Sequence, residues 1–154
     1  MYRRILVAVE NSWADETILE HVTKLAQLTG AELLLVHVAD GFAARLFDDL
    51  QLRESEEMQK DRAYLEGLQQ KLSALGLTVT IELAKGDPAT ELIRVAEERA
   101  VDLVAMSTHG HRFIKDLILG SVAESVRHRC TIPVLLVRGS RNPGELKGEP
   151  PPKP

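Results

Sequence analysis

The residues best able to do chemistry lie in one stretch: Ser107-Thr108-His109-Gly110, nine residues, then Gly120-Ser121. The apolar run Val101 to Met106 precedes it and reads as a strand, and Ser121-Val122-Ala123-Glu124 follows it and reads as the opening of a helix. Ser-x-x-Glu is capping-box spacing, in which Ser121 accepts from the amide of Glu124 and Glu124 reaches back to the amide of Ser121. A strand, a glycine-bearing loop and a helix start suit a phosphate group. The first helical amides have no partner within the helix, and the helix dipole favours an anion at that end. Gly110 and Gly120 let the backbone approach such a ligand closely. Two glycines in a strand-to-helix loop also occur where nothing binds, so the rest of the chain has to decide.

Other chemistry is poorly represented. His109 and His111 have the spacing of a metal pair but no third ligand near them in sequence. No Ser-His-Asp or Cys-His arrangement is evident, and no cluster of aspartates stands at strand ends to serve as a phosphoacceptor. Arg112 and Lys115 are placed to neutralise phosphate charge, or to lie in solvent as ordinary loop charges. The single Cys130 excludes an intrachain disulfide and a multi-cysteine zinc site, and it reads as a small buried residue. Net charge is −4, which argues against non-specific nucleic-acid binding. No apolar run approaches the ~20 residues that cross a bilayer. Ile5 to Val9 is too short for a signal-peptide core, so a cytoplasmic location is the default.

The elements that must position these residues alternate along the chain. Ile5-Leu6-Val7-Ala8-Val9 is a continuous apolar run, the pattern of a strand buried on both faces. Ser12 and Asp15 form an N-cap pattern, with Trp13 as a packing anchor beside it. Ile18, Val22, Leu25 and Ala26 then repeat at helical spacing up to Thr29-Gly30. Ala31 to Val38 is a second buried strand. Residues 39–50 give no clear period. Leu52 to Leu75 is a long charged helix with Met58, Leu65, Leu68 and Leu72 on one face, ended by Gly76. Leu77 to Ala84 alternates, as a strand nearer a sheet edge does. Asp87-Pro88 is an N-cap with proline at the first helical position, and Leu92, Ile93, Val95 and Ala96 make the buried side of the helix it starts. The helix from Ser121 ends near Arg127-His128-Arg129. Pro133 opens a last strand through Val137. From residue 139 to 154 the chain is Gly- and Pro-rich and reads as a flexible tail.

The tally β-α-β-α-β-α-β-α-β implies a single α/β domain with a parallel sheet, helices on both faces and right-handed crossovers. Ligands of such sheets bind outside the carboxyl ends of the strands, at the switch point. The residues there are Glu10, the Val38-Ala39-Asp40 stretch, and Ser107 to Gly110.

Taken together, these residues resemble the universal stress protein family. The family pattern is Gly-x-x-Gly, nine residues, Gly-Ser/Thr, and Gly110, the nine-residue gap and Gly120-Ser121 match it. So do Ile5 to Val9 with Ser12, Leu35-Val36-His37-Val38, Gly86-Asp87-Pro88-Ala89, Val122-Ala123-Glu124 and Pro133 to Val137. The resemblance spans residues 1–138. It implies a Rossmann-like five-stranded parallel sheet ordered 3-2-1-4-5 and a homodimer paired through the last strand. The family divides into members that bind ATP and members that lack the glycine motif. Carried over by position, Ala8 and Glu10 would flank the adenosine and Val38 would meet the adenine. Met106, Ser107, His109 and Gly110 would line the ribose and phosphates, and Gly120, Ser121 and Val122 would hold the phosphates, with Mg2+ accompanying ATP. Two positions depart from the pattern. Ser107 replaces the first glycine, and Glu10 stands where the first strand usually ends in Asp. The implied function is that of a nucleotide-dependent sensor or signalling dimer in stress response, with slow or no hydrolysis, since no general base or arginine finger is evident. The alternative is a nucleotide-free interaction protein working through its dimer surface.

Overall fold

The computed structural model describes residues 1–40, 51–108 and 121–139. These form strands β1 (Arg4–Ala8), β2 (Glu32–Asp40), β3 (Val79–Gly86), β4 (Leu103–Ser107) and β5 (Val134–Val137). The helices are α1 (Ala14–Thr29), α2 (Gln51–Ser73), α3 (Pro88–Glu98) and α4 (Ser121–Arg129). The strands make one parallel sheet in the order β3-β2-β1-β4-β5, as the alternation and the resemblance imply.

Hydrophobic pattern explains the placement of the strands. The three central residues of β1 and Leu33 to Val36 of β2 are buried on both faces, which is why they read as unbroken apolar runs. β3 mixes buried and exposed positions because it lies at one edge of the sheet. Ile18, Val22 and Ala26 form one stripe of α1. With Leu65 and Leu72 of α2, they pack on Ile5, Val7, Leu33 and Leu35. On the opposite face Leu92, Val95 and Ala96 of α3 and Ala123 and Val126 of α4 cover Leu6, Leu34, Val36, Val104 and Met106. Gly30 closes α1 at φ 73° and donates to the Ala26 carbonyl at 2.8 Å, a left-handed helix end. Asp87 caps α3 as expected, accepting from the Thr90 amide at 2.9 Å.

Local boundaries differ from the sequence reading for identifiable reasons. β2 runs on to Asp40 and β3 to Gly86, because these two residues are still paired in the ladder. Ser107 belongs to β4 rather than to the loop, because it pairs with Val137. The first residue of α1 is Ala14, and its N-cap is Trp13, which makes no side-chain cap bond; Ser12 and Asp15 do other work, described below. Ser121 is already helical, and Glu124 turns toward Arg127 and His128, each at 2.9 Å, rather than back to the Ser121 amide. Ion pairing with the last turn of α4 thus replaces the capping box. Cys130 is half-buried, not fully enclosed. The ambiguous segment 41–50 and the tail beyond Gly139 lie outside the described residues.

Candidate functional site

β1 and β4 are neighbours, yet the chain leaves them in opposite directions across the sheet, β1 toward β2 and β4 toward β5. Their carboxyl ends therefore part to form the switch point. Ala8, Val38 and Met106 stand at the ends of three strands and pack into one apolar group that Val122 of α4 also joins. Met106 is fully enclosed within it. Four of the ten residues singled out by sequence therefore pack on the same core on one face of the sheet. Ser121 stands exposed at the start of α4, and Ser107 is nearly buried at the end of β4. His109, Gly110 and Gly120 lie outside the described residues, as do Arg112 and Lys115. A side chain added at Gly139 would meet the Trp13 ring at 3.2 Å and Ser107 Oγ at 3.5 Å. Trp13 therefore packs where the chain leaves β5, close to the carboxyl end of β4.

The turn between β1 and α1 is built around Asp15, which is 1% exposed. Its carboxylate accepts from the Glu10 amide at 2.9 Å, from the Asn11 amide at 2.8 Å and from the Ser12 amide at 3.3 Å. Asn11 at φ 58° supplies the left-handed step that lets successive amides converge. Ser12 Oγ accepts from the Ala14 amide at 3.3 Å. Three converging N–H groups would form an anion pocket, but the chain fills it with its own carboxylate. The carboxylate of Asp15 thus occupies the place in the first loop that a phosphate would take.

Two residues of α2 complete the arrangement. The Tyr64 hydroxyl donates to Asp15 Oδ2 at 2.5 Å. Burial, then this bond, then the Asp15 charge hold the phenol well above its ordinary range. Asp61 Oδ2 stands 3.4 Å from His37 Nε2, while His37 Nδ1–H donates to the Val9 carbonyl at 2.9 Å. His37 therefore ties the end of β1 to α2 through β2. The Ser12-to-Asp15 spacing assigns Asp15 to capping, and local pattern gives His37, Asp61 and Tyr64 no role. The signals were a histidine inside an apolar strand and an Asp-x-x-Tyr pair on the same helical stripe as Leu65, Leu68 and Leu72.

Glu10 is the unsatisfied member of this group. Its Oε2 is buried and has no hydrogen-bond partner among the described residues. Burial and, after it, the Asp15 charge push its carboxyl up to about 7, against the smaller opposing effects of His37 and the Ser12 hydroxyl. A buried polar atom without a partner is uncommon in a folded protein, which makes Glu10 a candidate for the site. Among the described residues no group of three or more His, Cys, Asp or Glu side chains is gathered for a metal ion. No described helix is long and apolar enough to cross a membrane.

A model of the universal stress protein family matches residues 1–138. A universal stress protein of Methanothermobacter thermautotrophicus is 32% identical over 144 residues, covering 90% of this chain and 97% of its own. The solved structure of MJ0577 from Methanocaldococcus jannaschii superposes with a TM-score of 0.81 at 28% identity, over 92% of this chain and 99% of the other. The universal stress protein of Archaeoglobus fulgidus, solved in complex with dAMP, shares the fold with a TM-score of 0.66 at 22% identity, over 88% and 97% of the two chains.

Proposed function

Because the chain belongs to the universal stress protein family, we propose that it binds ATP at the carboxyl ends of β1, β2 and β4 and acts as a nucleotide-dependent sensor or signalling dimer in stress response. The observation that carries this reading is Oε2 of Glu10, buried and without a partner among the described residues, two residues beyond Ala8 of the apolar group that Val38 and Met106 share. A flat apolar base fits that group, and a sugar hydroxyl or amino group supplies the donor that Glu10 lacks. The phosphates then run toward Ser121 and Val122 at the start of α4, where free amides and the helix dipole receive them. His109, Gly110 and Gly120 complete that end by the spacing of the motif. The dAMP complex of the Archaeoglobus fulgidus protein is a nucleotide complex on the same fold.

Magnesium is proposed as a companion of the phosphates, held mainly by their oxygens and by water rather than by a protein cage. Hydrolysis is slow or absent. Glu10, whose carboxyl is pushed up to about 7, sits at the proposed adenosine end, away from the proposed phosphate end at α4, and no described residue is placed as a base for water attack. The chain pairs as a homodimer through the half-buried apolar edge strand β5 and works in the cytoplasm.

Calorimetric titration of the full chain with ATP and magnesium tests the reading, after a denatured sample has been checked for carried-over nucleotide. Binding in about the micromolar range that Gly120→Val abolishes is the expected result. Absence of binding and of carried-over nucleotide sinks it and leaves the dimer surface as the functional face.

A further inference from the structure

We propose that filling this site is coupled to a proton on Glu10: the empty site holds Glu10 as the neutral acid, and a hydrogen-bond donor of the ligand meeting Oε2 discharges that proton to solvent. The inference rests on the nucleotide reading above and adds the regulation of that same site.

The geometry sets the conditions. Glu10 Oε2 is buried with no partner among the described residues, so the charged form has little to offset its lost hydration. Asp15 is held 1% exposed, against the Glu10 amide itself, and is fixed there by the amides of Asn11 and Ser12 and by Tyr64. Two carboxyl groups in one enclosed turn repel when both are charged. Among the described residues, the groups that face Glu10 from the elements packed around it are the Ser12 hydroxyl from the turn, Asp15 from α1 and His37 from β2. Behind these stand Asp61 and Tyr64 from α2, one against His37 and the other against Asp15. Only His37 and the Ser12 hydroxyl favour the carboxylate, and burial and Asp15 outweigh them.

A sugar hydroxyl or amino group on Oε2 reverses the balance, because a hydrogen bond donated to a carboxylate favours the ionised form. No bond of the ligand is made or broken. The carboxyl O–H bond of Glu10 breaks, its electron pair stays on the oxygen, and the proton goes to buffer. Occupancy thus rises with pH across the neutral range, and acidification empties the site.

The test is calorimetry of the full chain with adenosine, which carries no phosphate proton, in two buffers of unlike ionisation heat. At pH 6.5 about three-quarters of a proton should leave per adenosine bound, the protonated fraction for a midpoint of about 7. At pH 8.5 almost none should leave. Affinity should be about tenfold higher at pH 8 than at pH 6. Glu10→Gln should bind with no proton release and a flat pH profile. Glu10→Asp, with a shorter and more acidic side chain, should release less at pH 6.5 than the wild type. Carbon-13 titration of the Glu10 carboxyl in the free chain gives a readout that needs no ligand, with a midpoint near neutral expected. Adenosine binding without proton release overturns the linkage and leaves the nucleotide reading standing. A free-chain midpoint below about 5, in the ordinary carboxyl range, overturns it whatever binds. Failure of both adenosine and magnesium–ATP to bind overturns the linkage together with the nucleotide reading.

Discussion

The two ends of the sheet are both charged, and they are finished differently. At the amino ends of the strands, Asp102 accepts from the amides of Arg3 and Arg4 at 2.8 and 3.2 Å, and the Arg4 guanidinium reaches Glu32 at 2.5 Å and the Arg99 carbonyl. These groups are partly exposed, so solvent supplies whatever partner the chain does not. At the carboxyl ends, Tyr64 is bonded to the buried Asp15 and His37 to the Val9 carbonyl, and among the described residues Glu10 Oε2 is left without a partner. Charge alone therefore says little about function. What separates the ends is burial combined with an incomplete set of hydrogen bonds, since an unmet polar atom costs little in water and much when enclosed.

The strongest way to break this comparison is at Asp15. Asp15→Ala removes the acceptor of three amides and the Tyr64 hydroxyl from an enclosed turn. The expected loss is about 3 kcal/mol or more in a urea unfolding curve. A loss below about 1 kcal/mol would mean that water replaces the carboxylate, and the turn would then be no more closed than the opposite end. Tyr64→Phe deletes a single donor to the same carboxylate and keeps the ring. About 2 kcal/mol is expected, within the range for hydrogen bonds to charged groups. Because the three amides still hold Asp15, the Tyr64 loss should fall clearly short of the alanine loss.

Glu10→Gln should act in the opposite direction. The folded carboxyl titrates at about 7, above its ordinary 4.5, so between these values the folded chain binds more protons than the unfolded one. The contribution of Glu10 to stability is therefore greatest below about 4.5 and is lost as pH rises through 7. Removing the charge should raise stability by about 1–2 kcal/mol at pH 8, a figure discounted from about 1.36 kcal/mol per unit because the group is partly exposed. Most of that gain should vanish at pH 5. Thermal melts at the two pH values check it, and an equal effect at both would show that Glu10 is not held neutral by its surroundings.

The fold was more legible than the site because the two rest on different ranges of interaction. Strand and helix order followed from local period: the unbroken run of β1, the stripe of α1 and the Asp87-Pro88 start of α3 are each visible within a dozen residues. The apolar half of the site was reachable for the same reason, since Ala8, Val38 and Met106 lie at or near the carboxyl ends of apolar runs. The polar half depends on contacts between distant segments. Tyr64 meets Asp15 from 49 positions away, and His37 meets Val9 from 28. Asp15 misled local reading because an acid near a helix start has a common explanation, which Asp87 fulfils and Asp15 does not. Glu10 stands out in the sequence as a departure from the Asp usual at its position, but its missing partner emerges only with its neighbours in place.

The smallest effect tests the other half of the comparison. Arg4 and Glu32 are 40% and 31% exposed at their side chains, and their contact lies at the finished end of the sheet. A double-mutant cycle with Arg4→Ala and Glu32→Ala should give a coupling of about 0.5 kcal/mol, falling as salt is added, because water and ions screen such a pair. Arg4→Ala alone should cost somewhat more than the coupling, since it also removes the donor to the Arg99 carbonyl. A coupling above about 2 kcal/mol that resists salt would place the pair in the energetic class of enclosed contacts. The amino end would then be held as tightly as the carboxyl end, and only the missing partner of Glu10, not the strength of its surroundings, would distinguish the site.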